Sequence, residues 1–477
     1  MSDPYIISPA SDINLVAYTL NGEATDKTYA ELLKTNVVEN VTCKNGTIAE
    51  WDYNKAGVLL TNVHTPDYCT IDFKEGYTVS LTATNGTVSA PTSKTTGYNQ
   101  SVSFTVTPSS GYKSELETNT CGGTLSGNTY TISNVTSNKT CSISFKKDAP
   151  PEGSTLVAAI KYFNPNVETR TSFSSVLTTD NTKTLYTGTE NGTTVYYFAG
   201  NAADNWVKFG KNASNQDLYW RIIRTNSDGS IRLLYHGTST TATNAYIGKS
   251  RFNTTDNDPM YVGYMYGTSG SLVNNRSNTN NSTIKGVIDT WYASNLEAKG
   301  YTKYLSTTAV YCNDRSNPAG GYNTGKTSFD YAAGTRLRSN KTPKYDCATT
   351  EDKFTVDSTV GNGKLKYPIA LMTADEVSFA GGVMYKKAPT WYYKNSANGS
   401  STGSTWWLLL SPYNWNGSSA GVFLVGGSSS PGYLDSNFVS NTYGVRPVVS
   451  LKSCTLYSTG NGSASDPYTI KETETGC

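Results

Sequence analysis

The sequence predicts a mostly β chain with a few helices: two small β-sandwich-like modules followed by a larger α+β head. Three observations carry that expectation. Short apolar runs alternate with polar residues and are separated by Asn-Gly, Ser-Gly and Asp-Gly turns, the pattern of half-buried antiparallel strands. A cysteine-bearing segment recurs within the first third of the chain. Charged residues make up only 16% of a chain with 35 tyrosines, which suits an extracellular β-rich surface better than a cytosolic enzyme.

At 477 residues the chain is too long for one compact core, and two to four domains are expected. Lys and Arg total 39 against 37 Asp and Glu, a formal charge of +2 with no basic run, so nucleic acid and anionic membrane are poor partners. No continuous apolar stretch is long enough to enter a membrane. Residues 1–15, MSDPYIISPASDINL, lack a basic n-region and an apolar core, so the expectation is a leader removed from this chain or departure from the cell within a virion.

The repeat comprises VTCKNGTIAEWDYNKAGVLLTNVHTPDYCTIDFK (41–74) and NTCGGTLSGNTYTISNVTSNKTCSISFK (119–146). Both run through T-C, G-T, a loop, an N-V step and a second cysteine within a strand. They place one module at 1–74 and a second at 75–147. In the second, Val79 and Leu81, then Val102, Phe104 and Val106, mark inward positions of two strands. These segments resemble the B-repeat-like β modules found as stalks in bacterial surface adhesins. Adjacent prolines and a glycine make 148–155 a linker, and the head occupies 156–477.

Within the head, Leu156, Val157, Ile160 and Phe163 form a short helical stripe stopped by Pro165. Residues 194–200 and 205–210 read as strands, and LYWRIIRT and SIRLLYHG form a hairpin across an Asp-Gly turn. Ser282 caps a helix whose Ile284, Val287, Ile288 and Trp291 recur at core spacing. Thr373 and Glu376 have capping-box spacing, and Gly381 can close that helix. Asp375 and Glu376 lie in its first turn, where interaction with the helix dipole explains them better than catalysis.

Eight cysteines without a C-x-x-C pair, beside only two histidines, point to disulfides rather than zinc. The repeat implies Cys43–Cys69 and Cys121–Cys141, and closure of short loops implies Cys312–Cys347 and Cys454–Cys477. Each bridge stabilises by roughly 3–4 kcal/mol. Disulfides imply an oxidising compartment.

The closing segment, 404–450, has demanding apolar ends: Trp406 to Leu410 at its start, then Val445, Val448, Val449 and, just beyond, Leu451. Between them large side chains are set singly into a Ser, Gly and Asn background, as in a paratope. A loop-rich end of a β domain is the plainer alternative. The candidate ligand-binding residues are Tyr413, Asn414, Trp415, Asn416, Ser418, Ser419, Gly421, Phe423, Gly426, Tyr433, Asp435, Asn437, Phe438, Ser440 and Asn441. Period-two alternation sends Val422 and Leu424 one way and Gly421, Phe423 and Val425 the other, with Leu434 and Val439 inward. Arg446 is expected to anchor a backbone or carboxylate group.

The order YWRIIRTNSDGSIRLLYHG (219–237), STIKGVIDTWYASNL (282–296), YPIALMTADEVSFAGG (367–382), W-x-x-LSP (407–412) and NTYGVRPVVSL (441–451) resembles the C-type-lectin-like fold of formylglycine-generating-enzyme type. The branch it resembles is that of variable proteins of diversity-generating retroelements. The resemblance implies a C-type-lectin-like head whose C-terminal segment is diversified by adenine-directed mutagenesis. It further implies a non-enzymatic adhesin or receptor-binding protein, extracellular or on a bacterial or virion surface, with a protein or glycan receptor on another cell or host. Some relatives hold Ca²⁺, for which Asp256 and Asp258, or Asp352 and Asp357, offer carboxylates. Neither pair has calcium-loop spacing, and no cofactor is expected.

Two other classes stand against this reading. An oxidase of the formylglycine-generating kind needs a reactive cysteine pair near its groove, whereas Cys454 and Cys477 follow the closing motif. A Ser-His-Asp site lacks a nucleophile motif near His64 or His236. A structural spacer leaves the aromatic residues of 413–441 without a purpose.

Overall fold

The computed structural model describes the chain except residues 1–4, 7–12, 54–56, 65–66, 180, 243–244, 318–319, 326, 389–405 and 428–429. Residues 404 and 405 of the closing segment therefore lie outside the described residues. Strand accounts for 41% and helix for 14%, which is the mostly β, α+β class that the turn and alternation pattern predicts. Two compact units are present, Met1–Asp148 and Ala149–Cys477.

In the first unit the sequence repeat has a topological counterpart. A central strand, Asp67–Glu75, lies parallel to Ile13–Leu20 and antiparallel to Asn36–Cys43. In the second copy Lys139–Lys147 lies parallel to Tyr77–Thr84 and antiparallel to Tyr112–Asn119. Each copy adds a further sheet: Tyr5–Ile6, Gly57–Thr61 and Ile48–Asp52 in the first, and Thr124–Ser126, Thr129–Val135, Gln100–Pro108 and Gly86–Val88 in the second. The two copies are not identical. Helix Tyr29–Thr35, closed at its start by a Thr28/Glu31 capping box, stands in the first where the second has strand Gln100–Pro108. Val79, Leu81, Val102, Phe104 and Val106 are all buried, as alternation requires of strands with one wet face.

The bridges are Cys43–Cys69, Cys121–Cys141, Cys312–Cys347 and Cys454–Cys477, the sequence neighbours in every case. No helix among the described residues is long and apolar enough to cross a membrane. Both facts are compatible with an extracellular protein.

Among the described residues the second unit holds two large sheets, beside two of two short strands each. The larger runs Asn166–Thr169, Thr184–Glu190, Thr193–Tyr197, Asp217–Thr225, Trp206–Lys211, Tyr468–Ile470 and Tyr457–Thr459. Its hairpin partner Ile231–Tyr235 pairs in turn with the closing strand Pro447–Leu451, setting Leu233 opposite Val449. Gly229 adopts φ +78° in the predicted Asp-Gly turn. Helices Leu156–Phe163, capped by Thr155, and Thr283–Tyr292, capped by Ser282, pack Leu156, Ile160, Ile284 and Ile288 into the same core.

The smaller sheet carries the candidate surface. Its order is Gly248–Arg251, Thr442–Val445, Trp407–Trp415, Ala420–Val425 and Leu434–Phe438, with Phe329–Asp330 added alongside Trp407–Trp415. Between Leu408 and Pro412 the ladder of Trp407–Trp415 with Ala420–Val425 slips, and Leu410 instead donates its N–H to Met372 O at 2.8 Å while its carbonyl accepts from Asn313. That detour ties the sheet to the central core.

Candidate ligand-binding surface

The residues singled out between 413 and 441 are held mainly in strands, and the structure sorts them by exposure. Tyr413, Trp415 and Phe423 are corrections: they are 6%, 2% and 0% exposed and belong to the core. Strand Ala420–Val425 is covered on both faces, so its period-two alternation does not separate a wet face from a dry one. Tyr413 packs edge-on against Phe423 with ring centroids 5.1 Å apart. Trp415 donates its indole N–H to Gly325 O at 2.8 Å. Gly421 and Gly426 are buried too, and each is a place of close approach: a Cβ would meet Asn414 Oδ1 at 2.7 Å and Ser430 O at 2.2 Å respectively. Trp406, expected in the buried base, is only half-buried.

The other candidates reach solvent. Asn416 and Ser418 are exposed and Ser419 half-exposed in a tight turn, where Asn416 Oδ1 accepts the N–H groups of Ser418 and Ser419. Asn414, Tyr433, Asp435, Asn437, Ser440 and Asn441 are half-exposed, and Phe438 is 39% exposed. Ser440 donates to Asp256 at 2.7 Å, Asn441 to Asn437 Oδ1 at 2.8 Å, and Asn437 to the Tyr443 hydroxyl at 2.6 Å.

Beneath them the base is dry. Trp407, Leu408, Leu409, Leu410, Leu434, Val439, Val445, Val448, Val449 and Leu451 are fully buried. Arg446 is an anchor, as its place beside Gly444 suggests: its guanidinium donates to Tyr235 O at 3.2 Å and lies over the Trp407 ring. It also faces His236 Nδ1 at 3.3 Å; burial and the guanidinium charges hold that imidazole neutral, with its pKa well below the ordinary value.

Two residues outside the closing segment complete the surface. Tyr385, 46% exposed, links its hydroxyl to that of Tyr413 at 3.0 Å. Arg338 donates to the same Tyr413 hydroxyl at 3.1 Å and pairs with Asp330. Burial opposes charge on Arg338, but Tyr413 and Asp330 outweigh it and raise the pKa. No sequence signal marks these positions, since Arg338 sits in a wide helical turn, Arg336–Asn340, and Tyr385 in a loop.

The carboxylates read as helix-dipole partners have stronger company. Glu376 is 1% exposed and takes Arg224 at 2.9 Å and Arg232 at 2.6 Å, while Glu190 takes Arg224 from the other side at 2.8 Å. Burial alone would raise the Glu376 pKa, yet Arg232 and Arg224 bring it below the ordinary value. Asp375 forms a fork with Arg336, both contacts at 2.7 Å. The capping box of Thr373 and Glu376 is formed as well, and Gly381 adopts φ +116°.

The aspartates considered for Ca²⁺ are spoken for. Asp258 caps Met260 N–H, Asp352 pairs with Arg315 and Arg276, and Asp357 accepts from Thr359. Among the described residues no group of three or more His, Cys, Asp or Glu is arranged to hold a metal ion. A recess of about 380 Å³ near Cys347 is lined by Glu190, Asp228, Thr308, Tyr345 and Lys353. Its acids are engaged, Glu190 by Arg224 and Asp228 by Ser230, Ser306 and Thr308.

Comparison of the chain with family models, curated proteins and solved structures finds no match.

Proposed function

We propose that the second unit is a non-enzymatic binding head that presents the rim of the smaller sheet to a receptor outside the cell. One observation carries the reading: half-exposed Trp406, Tyr433, Asp435, Asn437 and Phe438 stand on a sheet whose floor is fully buried. Stiff rings and small polar side chains over a rigid floor suit binding that tolerates side-chain change. The motif order from 219 to 451 supports assigning the head to C-type-lectin-like variable proteins of diversity-generating retroelements. The repeated β module supports a stalk at the surface of a bacterium or virion. All eight cysteines are bridged to sequence neighbours, which speaks against oxidase chemistry through a free thiol.

The test is a substitution scan scored in parallel for folding and for binding to a candidate receptor. Alanine at Tyr433 and Phe438 should weaken binding by about 1–2 kcal/mol, with stability changed by no more than roughly 0.5 kcal/mol. Rim variants that unfold the head would defeat the reading. For the retroelement assignment, the DNA downstream should hold a near-copy of the segment encoding 404–450, differing at adenines, beside a reverse transcriptase gene.

A further inference from the structure

We propose that the rim around Asp435 is a cation subsite, in which the Asp435 carboxylate and the rings of Trp406, Tyr385, Tyr433 and Tyr443 take an alkylammonium or guanidinium group of the ligand. The inference rests on the binding reading above and adds the chemistry of the group received.

Register brings the parts to one face. Leu408, Leu424 and Asp435 form one cross-strand row, and Trp407, Val425 and Leu434 form the next row on the opposite face. Trp406, one residue before Trp407, returns to the face of Asp435. Because Trp407 pairs with Gly444, Tyr443 lies beside Trp406 on that face. Tyr443 is also joined to Asn437, two residues along the strand from Asp435, by the 2.6 Å hydrogen bond. The Trp406 and Tyr433 ring centroids are 6.2 Å apart, and those of Tyr433 and Tyr385 6.3 Å.

Near these aromatics lies a carboxylate that no cation pairs with among the described residues. Asp435 is half-buried, and it accepts a hydrogen bond from Ser436 N–H at 2.8 Å. Among the described residues no Lys, Arg or His forms an ion pair with it. Arg338 is committed to Asp330 and Tyr413. Burial raises the Asp435 pKa and the Ser436 N–H offsets this only in part, which is the condition of an acid awaiting a partner.

One of the rings is also set in place at a conformational cost. Tyr385 adopts φ +62°, a region that bulky side chains avoid, and its N–H is fixed to Leu434 O at 2.9 Å. Such strain persists where the surroundings impose it and clusters at binding sites. Aromatic faces around a carboxylate attract a cation through the ring quadrupole and charge together, and suit quaternary ammonium groups as well as Lys and Arg side chains.

The test measures dissociation constants of the full chain by saturation-transfer NMR at constant ionic strength. The cationic probes are tetramethylammonium and Nα-acetyl-lysine amide; the neutral ones are neopentyl alcohol and Nα-acetyl-norleucine amide. At least fivefold preference for a cation over its neutral counterpart is expected. Asp435→Asn should abolish that preference with melting temperature unchanged, Tyr433→Leu should weaken it, and Val273→Ala, at an exposed position of helix Leu272–Asn275, should leave it intact. Tighter binding of tetramethylammonium would assign a quaternary ammonium ligand, and tighter binding of the lysine amide a protein side chain. Equal affinity for charged and neutral probes, or full preference retained in Asp435→Asn, overturns the subsite. If cation preference is absent while Tyr433→Ala still weakens receptor binding, the subsite falls and the binding head stands; if neither effect is found, both fall.

Discussion

Glu376 and Asp435 are acids of one unit in opposite conditions. The first is wholly buried and shared by two arginines; the second is half-buried near Tyr385 and Tyr443, with no ion pair to a cation among the described residues. Burial raises the pKa of both, and only Glu376 has the charges to reverse the shift. The difference teaches where charge serves the fold and where it is left for something else. Paired burial makes the core around Arg224 and Arg232 intolerant of change, whereas an unpaired acid at a rim can be altered without stranding another charge.

The largest effect that could break this contrast is expected at Glu376. Glu376→Ala leaves two buried guanidinium groups short of a partner and should destabilise the head by about 3–5 kcal/mol in chemical denaturation. Asp435→Asn should fall within roughly 0.5 kcal/mol. Similar losses for the two would erase the distinction. Removing the Cys312–Cys347 bridge, with both residues changed to serine, should lower stability by roughly 3–4 kcal/mol on the loop-entropy model. Trp407→Ala and Val448→Ala, in the floor, should each lose on the order of 2–5 kcal/mol, with the tryptophan toward the upper end.

The pH dependence sharpens the comparison by its sign. The folded pKa of Glu376 is lowered, so its contribution is present above the unfolded value, about 4.3, and is lost as pH falls through the lower folded value. Asp67 in the first unit behaves in the same sense. Burial works against its charge, but the N–H groups of Asn45, Thr47 and Tyr68 bring its pKa to about 2, and stability held through it should vanish as pH falls through that value. Asp435 runs the other way: its folded pKa is raised, so protonation relieves its burial while removing the charge that would hold a cation. Acid titration followed by both melting temperature and probe affinity should show cation binding lost at a higher pH than stability.

How much of this was legible follows from where each signal lies along the chain. The inward positions of the second β module could be read residue by residue, because strands with one wet face alternate. The hairpin at 226–230 and the caps at Ser282 and Thr373 were readable for a similar reason, since turns and caps are local chemistry. Phe423 was misread because alternation carries no information in a strand covered on both sides. Tyr413 and Trp415 were misread because their Ser- and Asn-rich neighbours imply exposure, whereas Phe423 and Gly325 cover them from elsewhere. The partners of Glu376 lie 152 and 144 residues away, beyond any local pattern. Tyr385 and Arg338 joined the surface by tertiary packing alone.

The most direct test of a tolerant rim on an intolerant floor is a pair of libraries in the full chain. One randomises Asn414, Tyr433, Asp435, Asn437, Phe438 and Asn441; the other randomises Trp407, Leu408, Leu424 and Val448. Both are scored for folded yield and for binders selected against unrelated target proteins. The account predicts that most rim clones fold with near-parental yield and that binders emerge from them, while floor clones mostly fail to fold. Rim clones that fail as often as floor clones would contradict it.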